Sequence, residues 1–135
     1  MNTKIVKDIA IVNSDEIMIK DVQSAIDFIM TIKYETNCNK IALNKEAIVE
    51  DFFILSKGLA GEILQKFINY QTKFAIYGDF SKYTSKPLKD FIYESNNGKD
   101  IFFVNTEDEV IDKLSWQITI YGDDYKWIKK YYYLI

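Results

Sequence analysis

Residues 55–88, LSKGLAGEILQKFINYQTKFAIYGDFSKYTSKPL, give the clearest indication of the fold class of the chain. Its first half repeats apolar residues at the three- and four-residue spacing of one helical face, namely Ala60, Ile63, Leu64, Phe67 and Ile68. The run FAIYG that follows is short and continuously apolar, which is typical of a strand buried on both faces of a sheet. A second helix is predicted to start at Ser85 or Lys86, because Pro87 is tolerated in a first helical turn. A helix, a buried strand and another helix in succession indicate an α/β sheet with parallel strands.

The segments on either side extend the same alternation. The runs KIVKDIAIVN and EIMIK predict two strands joined by a turn at residues 13–15, and Asp21 can cap a helix over VQSAIDFIMTIKYET. KIAL predicts a strand, whereas NKEAIVEDFFILSK fits either a short helical turn or an extended loop. Gly98 ends the helix before the strand DIFFV, and Thr106 with Glu109 has the spacing of a capping box for a last helix. The predicted order is β-β-α-β-α-β-α-β-α, a mixed sheet that is mostly parallel, with an antiparallel contribution from the opening hairpin.

We divide the chain into an α/β domain, residues 1–115, and a C-terminal aromatic extension, residues 116–135. The extension has two Trp and five Tyr in twenty residues, and it is predicted to form a β-hairpin around Gly122, Asp123 and Asp124. Such aromatics are costly to leave in water. Either they cover an open face or edge of the sheet of the same chain, or they form a homodimer or partner contact. In the second case the interface residues are Trp116, Tyr121, Tyr125, Trp127 and Tyr131.

The composition excludes several classes of site. The 135 residues include no His and no Arg, so all 17 basic residues are Lys. Without imidazole there is no Ser-His-Asp or Cys-His catalysis and no zinc site that needs His. Without guanidinium no side chain can grip phosphate or guanine through two parallel hydrogen bonds. A net charge of −3 disfavours non-specific binding to nucleic acid or to an anionic membrane. We therefore expect neither nucleic acid nor membrane as a partner.

The single cysteine and the lack of long apolar runs indicate a cytoplasmic protein. Cys38 is the only cysteine, which excludes an intrachain disulfide and suits a reducing compartment. The opening residues, MNTKIVKDIA, have no apolar core of signal-peptide length, and no run approaches the length of a membrane span. Cys38 is expected to be a small loop hydrophobe, because no His or Arg is available to activate its thiol.

The loop GDFSKYTSK, residues 78–86, holds the densest set of polar side chains, just past the carboxyl end of the FAIY strand. Ligands of open α/β sheets collect beyond the carboxyl ends of strands. Tyr83 and Lys86 are three residues apart, not the four that would place a proton-transferring pair on one helical face. A Ser–Lys hydrolase pair would lack an oxyanion motif. A structural or partner-contact role is therefore favoured over catalysis, and the candidate binding residues are Asp79, Ser81, Lys82, Tyr83, Ser85 and Lys86.

Two other groups of residues could bind ions. Gly58 and Gly61 lie at a helix start, where free N–H groups can hold an anion, but no nucleotide-binding glycine motif is present. Close packing of the helix on the sheet is the favoured role of these glycines. Glu46, Glu50 and Asp51 could gather a divalent cation, but their spacing is not that of an EF-hand, and a solvated acidic face is favoured. No metal and no cofactor are predicted.

Several phrases resemble the bacterial family described as domain of unknown function 4180. They are YETNCNKIALNK, EDFFILSKGLAGEILQKFINY, FAIYGDFSKYTSKPLKDFIYESN and GKDIFFVNTEDEVIDKL. The resemblance covers residues 17–114 and is specific at the level of the family. It implies no established activity.

The layout also resembles STAS domains, the anti-sigma-factor antagonists and their relatives. KIALN followed by SKGLAGEILQKF is similar to the STAS pattern of a strand, Asp-Ser-Ser-Gly-Leu-Gly and a helix. On this overlay Ser56 takes the first serine position and Lys57 the second, which a partner kinase phosphorylates in antagonists, while Gly58, Leu59 and Ala60 take Gly-Leu-Gly. Lys57 places a charge of +1 where a phosphoryl group would add about −1.5 to −2. The resemblance thus implies a STAS-like binding or scaffolding module without the standard phosphorylation switch.

Three functions are consistent with these observations. The favoured one is a non-enzymatic regulatory or scaffolding module that contacts a protein partner through the start of the GLAGEIL helix and residues 78–86. The second is a small-molecule or nucleotide-binding protein, or a weak enzyme, that uses the loop at residues 78–86 together with Lys57. The third is a small acidic inhibitor that masks the basic surface of a nucleic-acid-handling protein.

Overall fold

The computed structural model describes the backbone of residues 1–120 and the side chains of residues 1–115. Three short 3₁₀-helices, Lys45–Ala47, Glu50–Phe53 and Leu55–Lys57, lie between the third strand and the second α-helix. The predicted α/β class and the order β-β-α-β-α-β-α-β-α are confirmed. The strands and α-helices are β1 (Asn2–Val6), β2 (Ile9–Asn13), α1 (Val22–Thr36), β3 (Lys40–Asn44), α2 (Leu59–Asn69), β4 (Lys73–Tyr77), α3 (Lys86–Asn96), β5 (Ile101–Val104) and α4 (Glu107–Ile120).

The five strands form one sheet in the order β1-β2-β3-β4-β5. β1 is antiparallel to β2, whereas the pairs from β2 to β5 are parallel. The predicted mixed sheet, with its antiparallel contribution from the opening hairpin, is confirmed. Because the four parallel strands all end on the same side of the sheet, the loops that follow β3 and β4 meet there.

The two faces of the sheet are covered unequally. On one face, α1, α2 and α3 pack over a large core that includes Phe67 and Phe74. Right-handed crossovers between successive parallel strands place all three helices on this face. On the other face, of the described helices only α4 packs, and its Val110 and Leu114 join a smaller core around Phe102. No helix in the described part is both long and apolar enough to cross a membrane.

The helices begin where their capping residues predict. Asp21 accepts a hydrogen bond from the N–H of Ser24 at 2.8 Å, and Ser24 Oγ accepts one from the N–H of Asp21 at 3.0 Å. Ser85 accepts a hydrogen bond in the first turn of α3, and Thr106 accepts one from the N–H of Glu109 at 3.2 Å. The predicted caps at Asp21, Ser85 and Thr106 are confirmed, and such a cap typically contributes about 1 kcal/mol. The predicted capping box of α4 is formed only in part, because the Glu109 carboxylate accepts from the N–H of Asn105 at 2.8 Å rather than from that of Thr106.

The opening hairpin differs from its prediction. Its turn lies at Lys7 and Asp8, not at residues 13–15, and Lys7 has a φ of 59°. Tight hairpin turns are usually marked by Asn or Gly, and the Lys-Asp pair carries no such signal. The predicted strand EIMIK is also wrong, because in this stretch only Ile19 forms a bridge, to Ile48. The ambiguous segment after β3 forms the three 3₁₀-helices.

The C-terminal extension also begins differently. α4 continues through Trp116 to Ile120, so the strand predicted at QITIY is helical over its described residues. Extending an existing helix costs less free energy than nucleating a new element. The four described residues of QITIY are also too few to show whether apolar residues recur at the strand spacing or at the helical spacing. The domain boundary drawn between residues 115 and 116 falls inside α4. The rest of the predicted hairpin, including Tyr121, Tyr125, Trp127 and Tyr131, lies outside the described residues.

Candidate functional site

The loop after β4 is fixed to the 3₁₀-helix Glu50–Phe53 by a short hydrogen bond. Tyr83 donates its hydroxyl hydrogen to the Glu50 carboxylate, and the phenolic oxygen lies 2.6 Å and 3.0 Å from the two carboxylate oxygens. A hydrogen bond to an ionised carboxylate is roughly twice as strong as one between neutral groups. This bond joins residues 33 positions apart in the sequence, so it holds the two loops together.

Two lysines balance the charge of this contact. Lys82 Nζ lies 3.3 Å from Glu50 Oε2 and 5.2 Å from the centre of the Tyr83 ring. Lys45 Nζ lies 5.6 Å from the centre of the same ring, and only 12% of the Lys45 side chain is exposed. Ammonium groups within about 6 Å of an aromatic ring are attracted by the negative face of the ring. Tyr83 therefore contacts one carboxylate and two ammonium groups.

Aromatic packing attaches the same loop to the core. The rings of Phe53 and Tyr83 stack with centroids 4.9 Å apart. Phe80 lies 6.1 Å from Phe53 and packs edge-on against Phe103 of β5 at 5.7 Å. Ring pairs at such distances attract each other beyond the effect of their buried area. The loop is consequently held against the end of the sheet through its aromatic side chains as well as its charges.

The glycines near the site have different roles. Gly78 has a φ of 153°, a conformation open mainly to glycine, and a Cβ there would lie 2.9 Å from the Cβ of Lys45. Gly58 has a φ of 79° between the last 3₁₀-helix and α2. A Cβ at Gly58 or Gly61 would meet nothing within 4 Å. The prediction that Gly58 and Gly61 serve close packing is therefore wrong; Gly58 is required by its backbone conformation.

The pKa values of Glu50 and Tyr83 are both shifted further from pH 7. The hydrogen bond from Tyr83 lowers the pKa of Glu50, and Lys82 lowers it further. Burial raises the pKa of Tyr83, and the Glu50 carboxylate raises it further. Near pH 7 Glu50 therefore stays ionised and Tyr83 stays protonated, so the bond between them persists.

An open groove of about 710 Å³, which we call the loop groove, runs between the two loops. Residues 53–56 form one wall, and residues 82–85 with Pro87 and Leu88 form the other. Of the candidate residues, the loop groove brings together Ser56, Lys82, Tyr83 and Ser85. Its lining combines apolar side chains with hydroxyl groups and a single ammonium group.

The remaining candidates of the loop lie outside the loop groove. Asp79 accepts a hydrogen bond from the N–H of Ser81 at 2.9 Å, and this bond lowers the pKa of Asp79. Lys86 lies 2.7 Å from Asp90, one turn further along α3, and the hydrogen bond to that carboxylate raises the pKa of Lys86. These contacts are exposed and order the loop and the start of α3.

The three acidic residues considered as cation ligands face different partners. Glu46 lies 3.9 Å from Lys45, and Asp51 lies 3.9 Å from Lys57, with both members of the second pair about half exposed. Glu50 is held by the loop after β4. Within the described residues, no three acidic or thiol side chains are arranged to hold a metal ion. Exposed ion pairs of this length contribute little to stability.

Sequence reasoning found the loop but missed the residues against which it packs. Phe53, Phe80 and Lys45 belonged to no predicted site, and Glu50 was considered only as a cation ligand. The segment EDFF was predicted only to lie in a short helical turn or an extended loop. The contact between this segment and Tyr83 produces no periodic pattern in the sequence, because the two segments are distant in the chain and meet only in the folded structure.

Comparison with known proteins shows the family of the chain and a protein of known structure to which it is similar. The family model described as Domain of unknown function (DUF4180) matches residues 4–114. No match was found among curated proteins. The chain is similar to the 1.59 Å crystal structure of TM1081 from Thermotoga maritima, a proposed anti-sigma factor antagonist, with 17% identity over 84% of this chain and 93% of that chain and a TM-score of 0.46. For an NMR structure of TM1081, the identity is 19% over 84% of this chain and 86% of that chain, with a TM-score of 0.44.

Proposed function

The chain belongs to the family of the domain of unknown function DUF4180, and we propose that it is a non-enzymatic regulatory or scaffolding module that docks a partner protein in the loop groove. The observation that carries this proposal is the contrast between the hydrogen-bonded Tyr83–Glu50 pair and the open groove beside it. The central Tyr83–Glu50 pair is satisfied internally, whereas the apolar lining of the groove remains open.

The shifted pKa values of Glu50 and Tyr83 favour a role in protein contact over a role in proton transfer. A general acid or base works best when its pKa is close to the working pH. The pKa of Glu50 is lowered and the pKa of Tyr83 is raised, so both move away from pH 7. The strong hydrogen bond between them fixes the walls of the groove and leaves neither group poised to exchange a proton.

The lining of the loop groove has the character of a protein interface. Interfaces combine a buried apolar centre with a polar rim. Phe53 and Leu88 are buried in the core of the chain, so Ile54, which is 46% exposed, offers apolar surface to a partner, and Ser56 and Lys82 supply polar groups at the same groove. Walls that are already fixed lose little conformational entropy on binding, which favours affinity.

Site-specific photo-crosslinking in cells of the source organism tests this proposal. A photoreactive amino acid replaces Ser56 in the loop groove, and a matched control variant carries it at Tyr34, which is 91% exposed on α1. We expect one discrete protein adduct from position 56 and none from position 34. Adding Thr84→Arg, which places a long charged side chain on the wall of the groove, should abolish the adduct. Equal adducts from both positions, or an adduct that survives Thr84→Arg, would contradict the proposal.

The size of the loop groove favours a second candidate function, the binding of a small molecule. Small-molecule sites typically occupy about 300–1,000 Å³, and the loop groove falls within this range. A thermal-shift screen with nucleotides and acyl compounds separates the two functions. A compound present at about 100 times its dissociation constant should stabilise the fold by about 2.7 kcal/mol, and Thr84→Arg should remove this shift. A flat screen combined with a specific protein adduct would reject the second function.

A further inference from the structure

Side chains of the flanking helices occupy the outer edge of β5. This strand lies at one end of the sheet and consists of four apolar residues, IFFV. Asn96, at the end of α3, donates to the carbonyl oxygen of Phe103 at 3.0 Å and accepts from its N–H at 2.8 Å. Just past the strand, Asn105 donates its N–H to the carboxylate of Glu109 in α4 at 2.8 Å. These contacts take hydrogen-bonding positions that an added strand would fill.

The pairing with β4 shows that the occupied groups point away from the sheet. The carbonyl oxygens of Asp100 and Val104 accept hydrogen bonds from β4 and from the residue that follows it, at 2.8 Å and 3.0 Å. In a parallel pair such as β4 and β5, alternate residues of one strand bond to the same neighbour. Residues 100, 102 and 104 therefore bond to β4, whereas residues 101, 103 and 105 direct their N–H and C=O groups outward.

The sequence of β5 lacks the features that usually prevent an edge strand from pairing. Natural edge strands avoid association through charged side chains or proline, and IFFV contains neither. Short, uncharged segments of aromatic and β-branched residues are instead typical of strands that associate. At the opposite edge, β1 carries Lys4 in its middle, with 62% of the side chain exposed. Protection of the β5 edge therefore depends on Asn96 and Glu109 rather than on the strand itself.

We propose that Asn96 and Glu109 prevent a second copy of the chain from adding its own β5 to this edge. Two identical strands can pair antiparallel about a twofold axis, because the same surface then meets itself. With Phe103 opposite Phe103 of the second copy, the outward groups of the two strands form hydrogen-bonded pairs. Phe102 then lies opposite Val104 of the second copy, and both belong to the core on the α4 side of the sheet, so the facing side chains are apolar. This pairing needs the backbone groups that Asn96 and Glu109 occupy.

Analytical ultracentrifugation of variants of the whole chain tests this inference. Asn96→Ala combined with Glu109→Ala opens the edge. We expect this double variant to keep the circular dichroism of the folded protein and to self-associate at least about tenfold more tightly than the unchanged chain.

Asn44→Ala is the matched control. Asn44 donates to the carbonyl oxygen of Ser14 at 2.9 Å and accepts from its N–H at 2.8 Å. Its loss therefore leaves the same two backbone groups unpaired as the loss of Asn96, but at Ser14, which is buried. Asn44→Ala should not strengthen association, because it destabilises the fold without opening a sheet edge.

Isotope-filtered NMR of a mixture of labelled and unlabelled double variant locates the contact. We expect contacts between Phe102 of one copy and Val104 of the other. If the double variant does not fold, both measurements are made on Asn96→Ala alone, which still frees the central outward residue, Phe103. Association that is unchanged, that is equally strong in Asn44→Ala, or that joins other surfaces without β5 would each overturn the inference.

Discussion

The hydrogen bond between Tyr83 and Glu50 should be measurable as a coupling free energy in a double-mutant cycle. The variants are Tyr83→Phe, which keeps the ring stacked on Phe53, Glu50→Ala, and the combination of both. Residues that share a contact give non-additive changes in unfolding free energy, and the cycle isolates the pairwise contribution. This contact joins the two walls of the loop groove, so its strength measures how firmly the groove is held.

The expected coupling follows from the geometry and the exposure of the pair. A hydrogen bond to a charged group contributes about 1.5–3 kcal/mol when it is well shielded. The Glu50 side chain is 61% exposed, and solvent screening reduces the contribution to about 1 kcal/mol. In a domain of this size, that loss lowers the melting temperature by about 3–5 °C.

The coupling should also depend on pH in a definite direction. The pKa of Glu50 is lowered from its ordinary value of 4.5, first of all by the hydrogen bond from Tyr83. A carboxyl group with a lowered folded-state pKa stabilises the fold above its unfolded pKa, and this contribution is lost as the pH falls through the folded pKa. The coupling should therefore be constant from pH 7 to about 5 and decline below pH 4.5.

Urea unfolding at a series of pH values from 7 to 3 measures the coupling. Tyr93→Phe is the control, because 69% of Tyr93 is exposed on α3 and its loss of a hydroxyl should leave the unfolding free energy nearly unchanged. A coupling below about 0.3 kcal/mol at pH 7 lies within the additivity error of independent sites and would show that the Tyr83–Glu50 hydrogen bond does not stabilise the fold. A coupling of full size that persists at pH 3 would show that the ionised carboxylate is not its source.

Three other substitutions should change the unfolding free energy, each measured by urea unfolding. Gly78→Ala should destabilise by about 1–3 kcal/mol, because its φ is 153° and the new Cβ would lie 2.9 Å from Lys45 Cβ; a neutral result would contradict the reported geometry. Gly61→Ala should stabilise by about 0.5–1 kcal/mol, since the added methyl group meets nothing within 4 Å, and a loss would show that α2 is more closely packed there. Asn96→Ala should cost about 1–3 kcal/mol by leaving the backbone groups of Phe103 unpaired; an unchanged midpoint would show that water replaces the side chain.

The fold was largely predictable because its signals are local. The helical periodicity of residues 59–69, the buried strand FAIY and the caps at Asp21, Ser85 and Thr106 each depend on a few neighbouring residues. Together they were sufficient for the order of elements and the parallel sheet. The hairpin turn at residues 7–8 was missed because Lys7, which adopts the positive φ, is not a residue type that is typical of such turns.

The candidate site was predictable only in part. The position of residues 78–86 after a parallel strand followed from the alternation of strands and helices. The partners of Tyr83 did not, because Glu50 and Phe53 reach it only after the segment between β3 and α2 has folded into short 3₁₀-helices. Contacts of this kind are set by tertiary packing rather than by local propensity.

The most direct test of the account is the affinity between the purified protein and the partner that crosslinks at position 56, measured by isothermal titration calorimetry. The unmodified chain is compared with Thr84→Arg in the loop groove and with Tyr34→Arg on the far surface of α1. We predict that Thr84→Arg weakens binding at least about tenfold, a loss of about 1.4 kcal/mol, and that Tyr34→Arg leaves the affinity unchanged. Equal affinities for all three chains would show that the partner binds elsewhere.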